Sequence, residues 1–109
     1  MFLDHTPEAA QTRRRRLDDL AGAEYRSDAE IFVGTSAQLA DVLQEWHAAG
    51  LSGFRLRPAA LPHDLVQITE GLVPELRRRG LSRTAYEADT LRGLLGLARP
   101  ANRYADRVT

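Results

Sequence analysis

Three positions carry groups that a ligand site could use. Gly34-Thr35-Ser36 stands where a short apolar run gives way to a helical pattern, and the free amides of a helix start suit a phosphate. Arg57 is the other candidate, because a planar guanidinium meets a phosphate or carboxylate with two parallel hydrogen bonds. Gly34, Thr35 and Arg57 are therefore the candidate cofactor-binding residues. Each also has a plainer explanation. Thr35-Ser36-Ala37-Gln38 reads as a capping box in which Thr35 and Gln38 satisfy each other's amides, and arginines mostly face solvent. The run Arg13 to Arg16 has the charge for nucleic acid. Asp18 and Asp19 follow it, however, so Arg14–Asp18 and Arg15–Asp19 are expected to pair along a solvated helix face. His5, His47 and His63 lack metal-ligand spacing and there is no Cys, so neither a metal centre nor a thiol nucleophile is expected. No catalytic residue is assigned, since a Ser–His–Asp arrangement is defined by geometry and not by spacing.

The elements that would position these residues follow from local signals. Thr6-Pro7-Glu8 reads as a helix start, with an apolar stripe of Ala9, Ala10, Leu17, Leu20 and Ala21, and Gly22 as its end. Met1, Phe2 and Leu3 are too few to assign. Glu30 to Gly34 reads as a buried strand. Leu39, Val42, Leu43 and Trp46 form one face of the helix after it, which places Trp46 in the core, and Gly50 closes that helix. Gly53 to Arg57 reads as a second strand, stopped by Pro58. If Phe54 and Leu56 face the helices, Arg55 and Arg57 point to the other side, where burying two unpaired guanidinium groups would cost several kcal/mol each, in round figures about that order. Asp64 is expected to cap a third helix with an apolar face of Leu65, Ile68, Leu72 and Leu76 and a kink near Pro74. Arg77 to Arg79 suit its negative end. Thr90 to Leu95 reads as one more short helix ended by Gly96, and an extended tail follows.

The chain has 109 residues, with 15 basic residues, all Arg, against 15 acidic ones. That length suits one small domain. The balanced charge removes the main reason to expect a nucleic-acid or acidic-membrane partner. No signal-peptide pattern and no membrane-length apolar run is present, so a cytoplasmic protein is expected. Strands alternating with helices argue for an α/β fold with parallel strands. Two such strands would leave unpaired edges, so a homo-oligomer or a companion chain is expected to complete the sheet.

The chain resembles the C-terminal end of the bacterial luciferase-like, FMN-dependent monooxygenases, in the branch of the nitrilotriacetate and dibenzothiophene-sulfone enzymes. The resemblance is carried by Thr6-Pro7-Glu8-Ala9-Ala10, by Val33-Gly34-Thr35 with the helix to Trp46, and by Gly53-Phe54. It is most specific from Val73-Pro74-Glu75-Leu76 through Arg83-Thr84-Ala85-Tyr86-Glu87 and Thr90-Leu91-Arg92-Gly93-Leu94 to Arg103. It implies a helix-rich, incomplete TIM (β/α)8 barrel: the last two βα units over residues 1–80 and a C-terminal extension over 81–109. On this reading Ile31–Val33 and Phe54–Leu56 lie side by side as parallel strands, and Tyr86 docks the extension on the barrel or a neighbour.

The resemblance further implies oxygen insertion into an organic substrate with reduced FMN from a separate flavin reductase, and no metal. Loops after the last barrel strands often hold phosphate, which is why Gly34, Thr35 and Arg57 are singled out. A quarter of a barrel is not expected to build that site, so the isolated chain is expected to be inactive. The alternatives are a non-catalytic oligomerising module and one half of a split enzyme.

Overall fold

The computed structural model describes residues 1–105. Met1, Phe2 and Leu3, unassigned from sequence, form the middle of the structure. Phe2–Leu3 is a strand, β1, and pairs in parallel with β2, Val33–Gly34, in the register Phe2 with Val33 and Leu3 with Gly34. Helix α1, Pro7–Ala21, crosses between them, as a parallel connection requires. Thr6 caps α1 by accepting from the Ala9 amide, and Gly22 ends it at φ +77°, as its sequence signals predict. Helix α2, Ser36–Ala48, follows β2 directly. It starts on the full capping box: the Gln38 amide donates to Thr35 Oγ1 at 3.2 Å and the Thr35 amide donates to Gln38 Oε1 at 3.0 Å.

The expected strand over Gly53–Arg57 is not formed, and Phe54–Leu56 does not pair with Ile31–Val33. The chain instead reaches the far edge of β1. The Met1 amine donates to the Arg57 carbonyl at 2.7 Å, and the Ala59 amide donates to the Met1 carbonyl at 2.9 Å. That pair of bonds is the pattern of one parallel bridge around Pro58. The strand expected from Glu30 is likewise reduced to Val33–Gly34. The physical reason lies in the arginines. A central strand here would bury Arg55 or Arg57, whereas both are exposed in the observed path. The described residues are thus α/β and helix-rich with a two-stranded parallel sheet.

The third helix is more divided than its sequence suggests. Helix α3, His63–Gln67, runs into a π-helical turn, Ile68–Leu72, and then into α4, Val73–Arg78. The Val73 amide reaches back five residues to the Ile68 carbonyl. Pro74 has no N–H to give and its ring clashes with the preceding turn, so the backbone widens there. The expected kink appears as this wide turn. Its extra residue moves the inward face to a period of four: Asp64, Ile68, Leu72 and Leu76 face the protein, and Leu65 is exposed. Asp64 is therefore a buried residue and not the expected cap; α3 begins at Pro62 without a side-chain cap.

Asp64 is fully buried, and every bond it makes ties a different segment to the core. It accepts from the Leu3 amide at 2.8 Å, from the Ala60 amide at 2.8 Å and from Arg13 Nη1 at 3.0 Å. Arg13 Nε also donates to Asp4 Oδ2 at 2.8 Å, and its guanidinium lies 5.5 Å from the Phe2 ring centre. The solvated face expected for Arg13–Arg16 is thus incorrect for Arg13. Arg14 does reach Asp18, at 4.0 Å, while Arg15 turns to the Thr12 hydroxyl at 3.5 Å. Trp46, expected in the core, is 37% exposed. The core itself is Leu3, Leu39, Ala40, Leu43 and Leu72.

Helix α5, Leu91–Leu94, forms where expected, capped by the Thr90 hydroxyl and ended by Gly96. It lies in an extension that runs out from the body. The longest axis is 70 Å and the radius of gyration 19.8 Å, against about 13 Å for a compact chain of this length. The last four positions of the 81–109 extension lie outside the described residues.

Two outcomes follow for stability. Burial pushes the Asp64 carboxyl pKa up, but Arg13 and the two backbone amides outweigh it, so the carboxyl is held below its ordinary value. A carboxylate depressed in the folded state contributes stability that is present above its unfolded pKa and lost as pH falls through the folded value. Asp64→Ala should remove about 3–5 kcal/mol in urea unfolding near neutral pH, because Arg13 keeps only Asp4 of its two carboxylates and the buried Leu3 amide loses its acceptor. Asp64→Asn should in addition flatten the acid side of the stability–pH curve. Thr35→Ala should cost about 1 kcal/mol, the value of a typical N-cap, with the same measurement as the check.

Candidate functional site

A cleft of about 530 Å³ opens between α1, the 25–32 loop, α2 and the 51–60 segment. Its walls are apolar, with Phe2, Phe32, Leu39, Leu43, Trp46 and Phe54 the main contributors. Trp46 and Phe54 stand 6.1 Å apart at the mouth with rings tilted by 35°. The local sequence explains the shape. Helix α2 turns its Leu39–Leu43 face inward, and within the otherwise exposed 51–57 segment Leu56 packs against the core. Arg55 and Arg57 border the opening. Arg57 Nη2 donates to Asp28 Oδ1 at 2.8 Å. That hydrogen bond and its charge hold the Asp28 carboxyl below and the Arg57 guanidinium above their ordinary pKa values.

Gly34 and Thr35 belong to a different place. Thr35 and Ser36 border a second cleft of about 310 Å³, with Asp4, His5 and Glu70 among its other residues. Gly34 is buried, and a Cβ there would stand 2.5 Å from Gln38 Oε1 and 3.1 Å from the Phe32 ring. Close packing by its own neighbours therefore requires this glycine. Ser36 packs on Gly71, whose Cβ would lie 2.5 Å from the Ser36 hydroxyl, and donates to the Gln67 carbonyl at 3.4 Å. The structure keeps Gly34 and Thr35 together and separates them from Arg57.

This arrangement is a poor match for the phosphate of a flavin. At the start of α2 the capping box takes the amides of Thr35 and Gln38, and the Gln38 side chain turns back over the N-terminus. The carboxylates of Asp4 and Glu70 border the same cleft and would repel an anion. The guanidinium of Arg57 is on the other side and already paired. These residues fit no flavin by themselves.

Sequence reasoning missed the buried polar cluster of Asp64 and Arg13. Around Asp64 and Arg13, His63 Nε2 lies 3.0 Å from the Leu3 carbonyl and 3.1 Å from Asp4 Oδ1. Both neighbours are acceptors, so Nε2 is the protonated nitrogen. The signal for Asp64 was its place four residues before Ile68 in a run repeating at 68, 72 and 76. Among the described residues no three His, Asp or Glu side chains converge to hold a metal ion, and no helix is long and apolar enough to cross a membrane.

No protein-family model matches the chain. Individual curated proteins do. N-acetyl-S-(2-succino)cysteine monooxygenase of Bacillus subtilis is 46% identical over 69% of this chain and 17% of its own length. Nitrilotriacetate monooxygenase component A of Aminobacter aminovorans is 37% identical over 91% of this chain and 25% of its own. Dibenzothiophene-sulfone monooxygenase of Rhodococcus erythropolis is 37% identical over 63% of this chain and 16% of its own. The chain spans a quarter or less of the length of these relatives. Over that span the chain is similar to monooxygenases, the nitrilotriacetate and dibenzothiophene-sulfone enzymes among them.

Proposed function

We propose that this chain is the closing portion of a flavin-dependent, luciferase-like barrel monooxygenase. Residues 1–80 correspond to the last βα units and residues 81–109 to the C-terminal extension. The observation that carries this reading is the match to nitrilotriacetate monooxygenase component A, which runs through 91% of the chain but only 25% of the relative. The parallel β1–α1–β2 unit supports it, since parallel strands with helical crossovers are the unit of such barrels. So does the incompleteness of the core. A cleft lined by Phe32, Leu39, Leu43 and Phe54 stays open, where a full barrel would bring further strands.

In the complete assembly the cofactor would be reduced FMN, supplied in the cytoplasm by a separate reductase and reacting with O₂ to insert one oxygen atom into an organic substrate. The relative's description as a component A supports a multi-part system. The flavin would be held by elements that this chain lacks, contributed by a companion chain or by the rest of a longer protein. Gly34, Thr35 and Arg57 would line the barrel only at its margin. The chain by itself would have no turnover.

Fluorescence titration of FMN with the purified chain tests the deficit. No saturable quenching is expected in the micromolar range, and tight binding would overturn the assignment of the flavin site to missing strands. A chimera tests the kinship. Placing this chain in the matched stretch of nitrilotriacetate monooxygenase component A should give a folded protein that still binds FMN. A chimera that fails to fold where the parent folds would refute structural equivalence of the two segments.

A further inference from the structure

The two strands expected from sequence are cut short at the same level. Glu30–Gly34 is a strand only at Val33–Gly34, and Gly53–Arg57 forms none. Both lie beside β1, on opposite sides of it. The Phe2 amide donates to the Phe32 carbonyl at 2.9 Å, and the Met1 amine donates to the Arg57 carbonyl at 2.7 Å. Each outer segment therefore runs on past the place where β1 begins. Residues 30–32 and 53–57 become two sides of the cleft of about 530 Å³.

The register of the two bridges says what those sides offer. Along a strand in a parallel sheet, successive residues bond alternately to one neighbour and to the other. Continuing the Phe2–Val33 pairing two positions back, the Phe32 amide and the Glu30 carbonyl are the groups that face inward. Continuing the bridge around Pro58 two positions back, the Arg57 amide and the Arg55 carbonyl face inward from the other side. Among the described residues, no backbone hydrogen bond is made to any of these four groups. They are two facing rows of open ladder positions, in line with β1.

The remaining walls are apolar on both faces. Leu17, Ala21 and Tyr25 line one from α1 and the loop after it, and Leu43, Trp46 and Phe54 line the other. Tyr25, Trp46 and Phe54 all remain exposed. A parallel strand covered on both faces carries a near-continuous apolar run, and β-branched residues suit it. With such a strand in place, 53–57 becomes an edge, which leaves Arg55 and Arg57 in solvent, as they are here. Among the described residues, the runs Met1–Leu3 and Ile31–Val33 are already in or beside the sheet, so a second copy offers neither of them.

We propose that this cleft is the docking site for one extended segment of a partner polypeptide. The segment is a strand of about four uncharged, mainly β-branched residues, parallel to β2 and in line with β1. Its backbone pairs with Phe32 and Glu30 on one side and with Arg57 and Arg55 on the other. Its side chains turn alternately to the Tyr25 face and to the Trp46–Phe54 face. Main-chain pairing holds the segment, and the apolar faces select its sequence. The inference stands on register and packing and does not rest on the monooxygenase reading.

Amide exchange read by NMR on the labelled 109-residue chain is the test, with the peptide Lys-Lys-Val-Ile-Val-Val as the probe. Its lysines keep it soluble and stay outside the cleft. Saturable binding below millimolar peptide is expected, with exchange of the Phe32 and Arg57 amides slowed about tenfold or more. The Ile31 and Leu56 amides, which alternate with them, should not change. Lys-Lys-Val-Asp-Val-Val should not bind, because it would bring an unpaired charge between apolar walls. Phe54→Glu should weaken the first peptide about tenfold or more for the same reason. Its ring is partly exposed, so the thermal midpoint of the free chain should hold. If that variant unfolds, Tyr25→Glu replaces it. No saturable binding, equal protection of Ile31 and Leu56, or binding that survives the wall substitution would each overturn the proposal. So would slow exchange of Phe32 and Arg57 in the free chain, the sign of a second copy in the cleft.

Discussion

A backbone amide at the centre of the molecule has to be satisfied. Leu3 is fully buried, and its N–H points at the place where Asp64 stands. A buried amide without a partner is costly, and a buried carboxylate without a cation is costlier. One constraint therefore recruits the next: Leu3 needs Asp64, Asp64 needs Arg13, and Arg13 takes Asp4 as well. The result binds β1, α1 and α3 through groups on four segments. With five of the described residues in the buried apolar cluster, this polar clamp sets the relative placement of elements that hydrophobic contact alone would leave loose.

Helix ends were readable in the sequence because their signals are local. Thr6, Thr35 and Thr90 each cap within three residues, and Gly22, Gly50 and Gly96 end helices close to where they stand. The strands were not readable for the opposite reason. Two residues have no period, and Phe2–Leu3 becomes a strand only because Val33–Gly34 arrives beside it. Gly53–Arg57 has the alternation of a strand but lacks a neighbour that could accept its two arginines. Pattern without a pairing partner does not make a sheet.

Single polar residues were ambiguous in the same way. Asp64 precedes an apolar run, as a cap would, and only the wide turn at 68–72 shows that it lies in the apolar stripe. Arg13 is one of four identical neighbours, and nothing local separates it from Arg15 or Arg16. Gly34-Thr35 looks like a phosphate loop and is a close-packed helix start. The family was legible from long stretches of sequence, although the strand adjacency expected of it is not reproduced among the described residues. Similarity along the sequence and the pairing of strands are separate matters, because pairing depends on which segment lies beside each edge.

The wide turn ahead of Pro74 also sets how this region tolerates changes in length. Removing one residue between Gln67 and Val73 would return the backbone to a uniform spiral. The inner row would keep its place, because Asp64 would then stand seven residues before the Leu72 position, and two turns of an α-helix return to nearly the same face. The Leu3 amide and the Arg13 guanidinium would keep their shared acceptor. The wide turn thus lets this helix carry one residue more than a uniform spiral without moving the groups at the centre of the protein.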